Sequence, residues 1–452
     1  MLSVCMVFGV APIQAGAEEN DSEIAVQTND SAGKTEQQST EEEECKHEGV
    51  EITFNSNGFG NCPKCNATVY QSAVETTDKY DIDDDGTKET VYEISNAGQL
   101  YWFAGLVNGT LDGVKQNTLA NAILTANITV NDNLLDSLQY DAEGNVSNGS
   151  DFITWTPIAD WMGNRTTQYS GTFDGNNKTV SGLYFNGNSS YIGLFGSSEI
   201  DGNIKNVGVV DSYFKGNEYV GGVCGSNYGT ITNCYNAGNL TAIQSGANIG
   251  GICGDTDGTI TNCYNTGTVT ATSSGADISD ICGCYFGPIT NCYYLADTED
   301  ENGGKTAAQF ASGEIAYLLS QGCSTGVGDN TVTYDGSIWG QALGGNGDTY
   351  PVLKKAGDAK NTVYRNETYP GCEGNPGDLV YSYSNTQKAP AYAEHTDEDL
   401  DGKCDVCGED FKTYNQLGKL ITKVKQNLSD GKYADVQYTC LLYTSDAADD
   451  KA

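Results

Sequence analysis

Four side chains near the amino-terminal end have the types and spacing of a metal site: Cys45, His47, Cys62 and Cys65. The last two form C-x-x-C, a short turn that presents two thiolates to one ion. A further Cys and an imidazole complete the tetrahedral set that zinc takes. Disulfides are the competing reading, since an exported chain permits them. His47 favours metal, because a disulfide needs no histidine and the chain has only two. Further on, Asp81, Asp83, Asp85 and Gly86 spell D-x-D-x-D-G, the first half of a calcium loop, with Glu89 at the ninth position. Tyr92 stands where the bidentate Glu belongs, and Glu93 is the substitute the sequence offers. A solvated acidic turn is the alternative.

A second cluster lies in HTDEDLDGKCDVCG: His395, Asp397, Asp399, Asp401, Cys404 and Cys407. This run resembles a short Cys-rich motif of bacterial surface proteins. Ala393 stands where Cys45 stands in the first cluster, so a closed zinc site needs Cys372 or a partner, and the acidic run can hold calcium instead. Both histidines therefore sit in Cys motifs, leaving none free as a general base. H-E-x-x-H and a phosphate-cradling glycine loop are absent. Asp151, Asp160 and Asp174 are carboxylates a hydrolase would need, and nothing in their spacing joins them. The expectation is no enzyme, with a carbohydrate-active β-helix as an alternative.

The elements that must position these groups are set by a repeat. Cys224, Cys253 and Cys282 lie 29 residues apart, as do Cys234, Cys263 and Cys292, and Ile231, Ile260 and Ile289. One unit has too few apolar residues to close a core, but stacked units share one. Short apolar runs without a helical stripe predict strands. The fold class expected is all-β, a right-handed parallel β-helix (solenoid) with short helical caps, flanked by small Cys-rich segments. Ile231 and Cys234 need a bend at Asn233 to face the same side, which Asn tolerates. Asn233, Asn262 and Asn291 would then stack as an amide ladder. The six ladder cysteines are expected as buried thiols, because stacked parallel side chains hold their Cβ atoms too far apart for an unstrained disulfide, with disulfides as the alternative. Tyr235, Tyr264 and Tyr293 recur beside them, either as core or as an outward stripe for stacking on sugar rings or gripping a protein.

The repeats resemble the GLUG-motif family through Gly221-Gly222, Gly225, Asn227, Gly229, Ile231, Asn233–Asn236, Gly238 and Leu240. Gly250-Gly251, Gly254, Gly258, Ile260, Asn262–Asn265, Gly267 and Val269 form the second copy. In the third, Ser279-Asp280 replaces the glycine pair, as in a terminal repeat. The resemblance implies a β-helical module of a secreted or surface protein, as in bacterial adhesins and accessory regions of peptidases. It implies no reaction.

Flanking segments complete the reading. Residues 1–17 have the h-region and small-x-small end of a secretory signal, and 18–44 the polar composition of a linker. Glu93–Gly109 predicts a cap helix with Leu100, Phe103, Ala104 and Val107 on one face. Thr306–Gln321 predicts a second, which with Trp339 and Tyr350 makes a far cap within 298–365. Segments follow at 366–411 (Cys/His) and 412–439 (a helix over Tyr414–Leu428). Residues 440–452 resemble a translated sequencing adapter. The net charge of −38, from 61 acidic and 23 basic residues, argues against nucleic acid. No stretch past the signal reaches the roughly 20 apolar residues of a membrane span. The partner expected is a host or matrix glycan or protein, with a structural stalk or an accessory region of a larger surface enzyme as the alternative.

Overall fold

The computed structural model describes residues 50–83, 85–160, 167–325, 332–355, 357–372, 379–393, 395–396, 398, 403–406 and 408. The signal, the linker, Cys45, His47, Asp397, Asp399, Asp401, Cys407, the helix at Tyr414–Leu428 and residues 440–452 lie outside the described residues. The chain divides into two compact units, Met1–Thr362 and Val363–Ala452.

In the first unit a sheet of 15 strands runs from Val74–Tyr80 through Glu89–Ile94, Asn121–Leu124, Thr172–Ser181, Asn203–Gly216, Tyr235–Ala242, Tyr264–Asn265 and Tyr293–Leu295 to Gly304–Lys305. Its first pair is antiparallel and the later pairs along this path are parallel. Phe195–Ser198, Cys224–Asn227, Cys253–Thr256 and Cys282–Tyr285 form a second parallel sheet, and Val220–Gly221, Asn248–Gly250 and Asp277–Ser279 a third. Residues pair with their mates one repeat away: Cys224 with Cys253 and Cys253 with Cys282, Ile231 with Ile260 and Ile260 with Ile289. This is a parallel β-solenoid.

The bends follow from residue chemistry. Asn206, Asn233, Asn262 and Asn291 have φ of 59°, 54°, 53° and 53°, the left-handed turn that returns Cys234 and its mates to the interior. Their ladder is interrupted. Asn233 Nδ2 donates to Asn206 Oδ1 (3.2 Å) and Asn291 Nδ2 to Asn262 Oδ1 (2.7 Å), but Asn262 Nδ2 is buried without a hydrogen-bond partner. At that step Trp339 Nε1 donates to Asn233 Oδ1 instead (3.3 Å). A continuous interior amide step occurs one strand on, where Asn236 Nδ2 donates to Asn265 Oδ1 (2.9 Å). Val223 and Cys224, adjacent yet both fully buried, sit at a corner where both amides donate to the Ile252 carbonyl (3.0 and 3.1 Å).

That corner explains the glycine pair. A Cβ at Gly221 would lie 2.7 Å from Cys253 Cα of the next coil, and one at Gly222 would lie 2.4 Å from Asn236 Cγ. Gly250 meets Cys282 Cα (2.5 Å) and Gly251 meets Asn265 Cγ (2.3 Å) in the same way. In the third copy the mate of Asn265 is Tyr294. Neither constraint carries over to Ser279-Asp280, since Asp277–Ser279 is the edge strand of its sheet.

The cap helix Ala97–Asn108 starts from the N-cap Asn96. Asn96 Oδ1 accepts from the Gln99 amide (2.9 Å), and Gln99 Oε1 accepts from both the amide and hydroxyl of Ser95 (2.8 Å each), a capping box displaced by one position. Leu100, Phe103, Ala104 and Val107 are buried with Trp155 and Phe173 in one core that continues through the solenoid interior. The C-terminal helices Ala307–Ser312 and Glu314–Ser320 belong to a separate core of Tyr264, Phe310, Ile315, Leu319, Ile338 and Trp339. Their cover touches successive coils: Asp335 O accepts from Asn233 Nδ2 (3.4 Å), Pro351 O from Tyr264 Oη (2.6 Å) and Leu318 O from Asn291 Nδ2 (3.3 Å). It therefore extends along the flank of the repeats.

Candidate functional site

The tyrosine column points outward from the coil interior and is covered by the chain itself. Tyr235 and Tyr264 stack with ring centroids 4.9 Å apart and planes 6° from parallel, and both contact Trp339. Tyr264 is 2% exposed, and burial pushes its phenol well above the ordinary value. Tyr235 and Tyr293 are half-buried in the same cluster. The reading of Tyr264 as a platform for an external ligand is corrected on this ground: the flat apolar rings lie outside the coil, and a tethered segment of the same chain competes for them at high effective concentration.

A different column remains open to solvent. The turns after Phe195–Ser198, Cys224–Asn227, Cys253–Thr256 and Cys282–Tyr285 carry Glu199, Tyr228, Asp257 and Phe286 at matching positions, as the pairs Ser198–Asn227, Asn227–Thr256 and Thr256–Tyr285 fix. Tyr228 is 40% exposed and Phe286 66%, with Tyr285 (59%) beside it; Glu199 and Asp257 are exposed. Backbone bonds hold the turns in register: Tyr228 N to Ser198 O (3.2 Å), Asp257 N to Asn227 O (3.0 Å) and Phe286 N to Thr256 O (2.9 Å). Beneath them Ser198 Oγ donates to Asn227 Oδ1 (2.7 Å) and Asn227 Nδ2 to Thr256 Oγ1 (2.9 Å), all buried. With coils about 4.8 Å apart, the backbone positions of Tyr228 and Phe286 lie on either side of that of Asp257, roughly 10 Å from each other. Aromatic faces stack on apolar ring faces and carboxylates accept hydroxyl protons, which suits a sugar or a polar peptide. The register of Cys224, Cys253 and Cys282 places Tyr228, Asp257 and Phe286 four residues on, but their types differ between copies and so escape a search for repeated chemistry.

The acidic loop joins Val74–Tyr80 to Glu89–Ile94 and brings carboxylate oxygens of Asp81, Asp83, Asp85 and Glu89 within 4.8 Å of one another. Gly86, at φ +91°, makes the sharp turn, and its amide donates to Asp81 Oδ2 (3.1 Å). The hydroxyl and amide of Thr87 donate to Asp85 and hold its carboxyl below the usual range. Glu93 does not serve as the twelfth-position substitute, because Lys79 and Tyr80 engage its carboxylate and its strand pairs with Val74.

Cys62 and Cys65 lie in the turn between Phe59–Asn61 and Thr68–Tyr70, with Asn66 N donating to Cys62 O (2.8 Å) and Asn66 at φ +59°. In the second unit Tyr364–Cys372 is flanked by Val380–Ser384 and Ala391–Ala393. There Cys372, His395 and Cys404 bring ligand atoms within 4.8 Å of one another. Both acidic and Cys/His clusters thus have donor sets that fit calcium and zinc respectively. The six ladder cysteines are buried and not disulfide-bonded, and burial pushes the Cys224, Cys253 and Cys263 thiols up, away from reactive thiolate.

No helix among the described residues is long and apolar enough to cross a membrane. No curated protein and no solved structure matches the chain. The family model of the GLUG motif matches residues 216–241, which span the first full repeat from the corner strands through Tyr235. The chain is thus a GLUG-motif-containing protein with a β-solenoid fold.

Proposed function

We propose that this chain is a secreted or cell-surface interaction module, adhesin-like and without catalytic activity, that binds a host or matrix glycan or protein. The observation that carries the reading is the exposed column of alternating carboxylate and aromatic side chains, Glu199, Tyr228, Asp257 and Phe286, on turns locked by a buried hydrogen-bond network. A rigid scaffold presenting aromatic anchors loses little entropy on binding. The test is binding of the intact chain to an immobilised glycan and mucin panel. The variant Tyr228→Ala/Phe286→Ala is expected to weaken the strongest interaction at least about tenfold, the loss of one hot-spot anchor, with an unchanged melting temperature. Full retention of binding by this double variant would eliminate the column as the contact surface. Absence of any binding by the wild-type chain would favour the stalk reading.

The acidic loop supports a calcium role beside it. Extracellular calcium sites of this kind have dissociation constants of about 10⁻⁴–10⁻³ M, so a few millimolar calcium should raise the melting temperature by roughly 2–4 °C through preferential binding to the folded state. Asp83→Asn/Asp85→Asn should melt at the same temperature with calcium as with chelator. An equal calcium response in that variant would assign the effect elsewhere.

A further inference from the structure

We infer that the second compact unit is built around a zinc ion held by Cys372, His395 and Cys404. The three residues come from separate parts of the chain: the end of the central strand, the segment just after Ala391–Ala393, and a turn further on. Cys372 Sγ and Cys404 Sγ are 3.4 Å apart. That is far longer than the roughly 2.05 Å of a disulfide and close to the edge, about 3.8 Å, of a tetrahedron with 2.3 Å zinc–sulfur bonds. Two thiolates and an imidazole are soft donors that suit zinc, and the two thiol protons leave when the metal enters. Backbone groups already support a thiolate at Cys404, whose Sγ accepts from the Val406 amide (3.4 Å). The surrounding turn repeats the geometry at Cys62: Gly408 N donates to Cys404 O (2.8 Å) with Gly408 at φ +73°, as Asn66 N donates to Cys62 O (2.8 Å) with φ +59°.

The packing gives the ion a purpose. Among the described residues of this unit the fully buried apolar side chains are Val363, Cys372 and Cys404, so two of the three are metal donors. Among the described residues, then, the interior is mostly metal donors, the pattern of a small fold stabilised by a bound ion or a cross-link. Asp405 closes the loop over the site, its amide donating to Thr396 O (2.7 Å) and its carboxylate accepting from the Glu398 amide (2.6 Å).

The experiment uses the full chain in a Cys62→Ser/Cys65→Ser background, so that the first C-x-x-C contributes nothing, purified with zinc and without chelator. Elemental mass spectrometry should find about one zinc per chain, falling to near zero in Cys404→Ser. His395→Cys, which keeps a soft donor, should retain the ion. Cobalt loading of the background protein should give thiolate-to-metal charge transfer and the intense visible bands of a tetrahedral ion, a readout that does not depend on any variant of this site folding. Zinc content unchanged in Cys404→Ser, a cobalt spectrum without thiolate bands, or a Cys372–Cys404 disulfide in the purified chain would each overturn the assignment.

Discussion

Gly258→Ala should be among the most damaging single-methyl changes in the solenoid, lowering stability by about 3 kcal/mol or more. Gly202, Gly229, Gly258 and Gly287 form a column in which a Cβ on each later residue would sit 2.0, 2.1 and 1.8 Å from the carbonyl oxygen of the glycine one coil before. Both colliding groups belong to backbone, so no rotamer change relieves the clash, and the coils must separate. Separation also strains the bonds that join them here, Gly258 N to Asn227 O (3.1 Å) and Thr259 N to Gly229 O (2.9 Å). Overpacking in a tight site costs about 1–3 kcal/mol and sometimes more. Solenoid stability is carried by nearest-neighbour interfaces, and this interface lies between two full repeats, so the cost falls at the upper end. Gly246→Ala is the matched control: it has φ +75° but open space around the added methyl, so its cost is the left-handed backbone alone, about 1–2 kcal/mol. Thermal and denaturant melts followed by far-UV circular dichroism decide between them. If Gly258→Ala melts at or above Gly246→Ala, close stacking of the turns is not what the glycines are for.

The same contrast shows how much of the molecule was legible in its sequence. The spacing of Cys224, Cys253 and Cys282 sufficed for the stacking register, because a solenoid repeats its backbone and the residues filling its narrow interior repeat with it. The left-handed bend at Asn233 followed from Asn chemistry and the need to bury Cys234. The amide ladder was legible only in part, since its break at Asn262 is caused by Trp339, over a hundred residues away from Asn233. The tyrosine column was left open between core and outward stripe for the same reason: period shows that Tyr235, Tyr264 and Tyr293 align, but not which later segment lies on them. Glu199, Tyr228, Asp257 and Phe286 were invisible for the opposite reason, as surface positions share a place without sharing a residue type. At the second metal cluster C-x-x-C marked Cys404 locally, whereas the sequence could name Cys372 only as one alternative to a partner, because the strand that carries it to the cluster is not visible in the spacing.

Trp339→Ala should release the flank cover without unravelling the coils, at a cost of about 3–5 kcal/mol for a large buried ring. Trp339 is fully buried, packs on Tyr235 and Tyr264 at 6.2 and 5.5 Å between centroids, and gives its indole proton to Asn233. The cluster it belongs to is separate from the solenoid core, which runs from Leu100 in the cap helix to Cys292 in the last repeat. The loss should therefore be local, because sub-global opening follows cooperative units rather than the whole chain. Limited proteolysis should cut the variant within 307–353 at rates where the wild type is intact, while the far-UV spectrum keeps its strand signal. Tyr264→Ala should give the same cleavage pattern, since it removes the facing ring and the bond from Tyr264 Oη to Pro351 O. The double variant should cost less than the two single losses combined, by about 0.5–1.5 kcal/mol for the aromatic pair. Additive losses would mean that the two rings do not cooperate in holding the cover. Collapse of the strand signal in step with cleavage would mean that flank and coils form one cooperative unit, and that the cover is part of the solenoid rather than an addition to it.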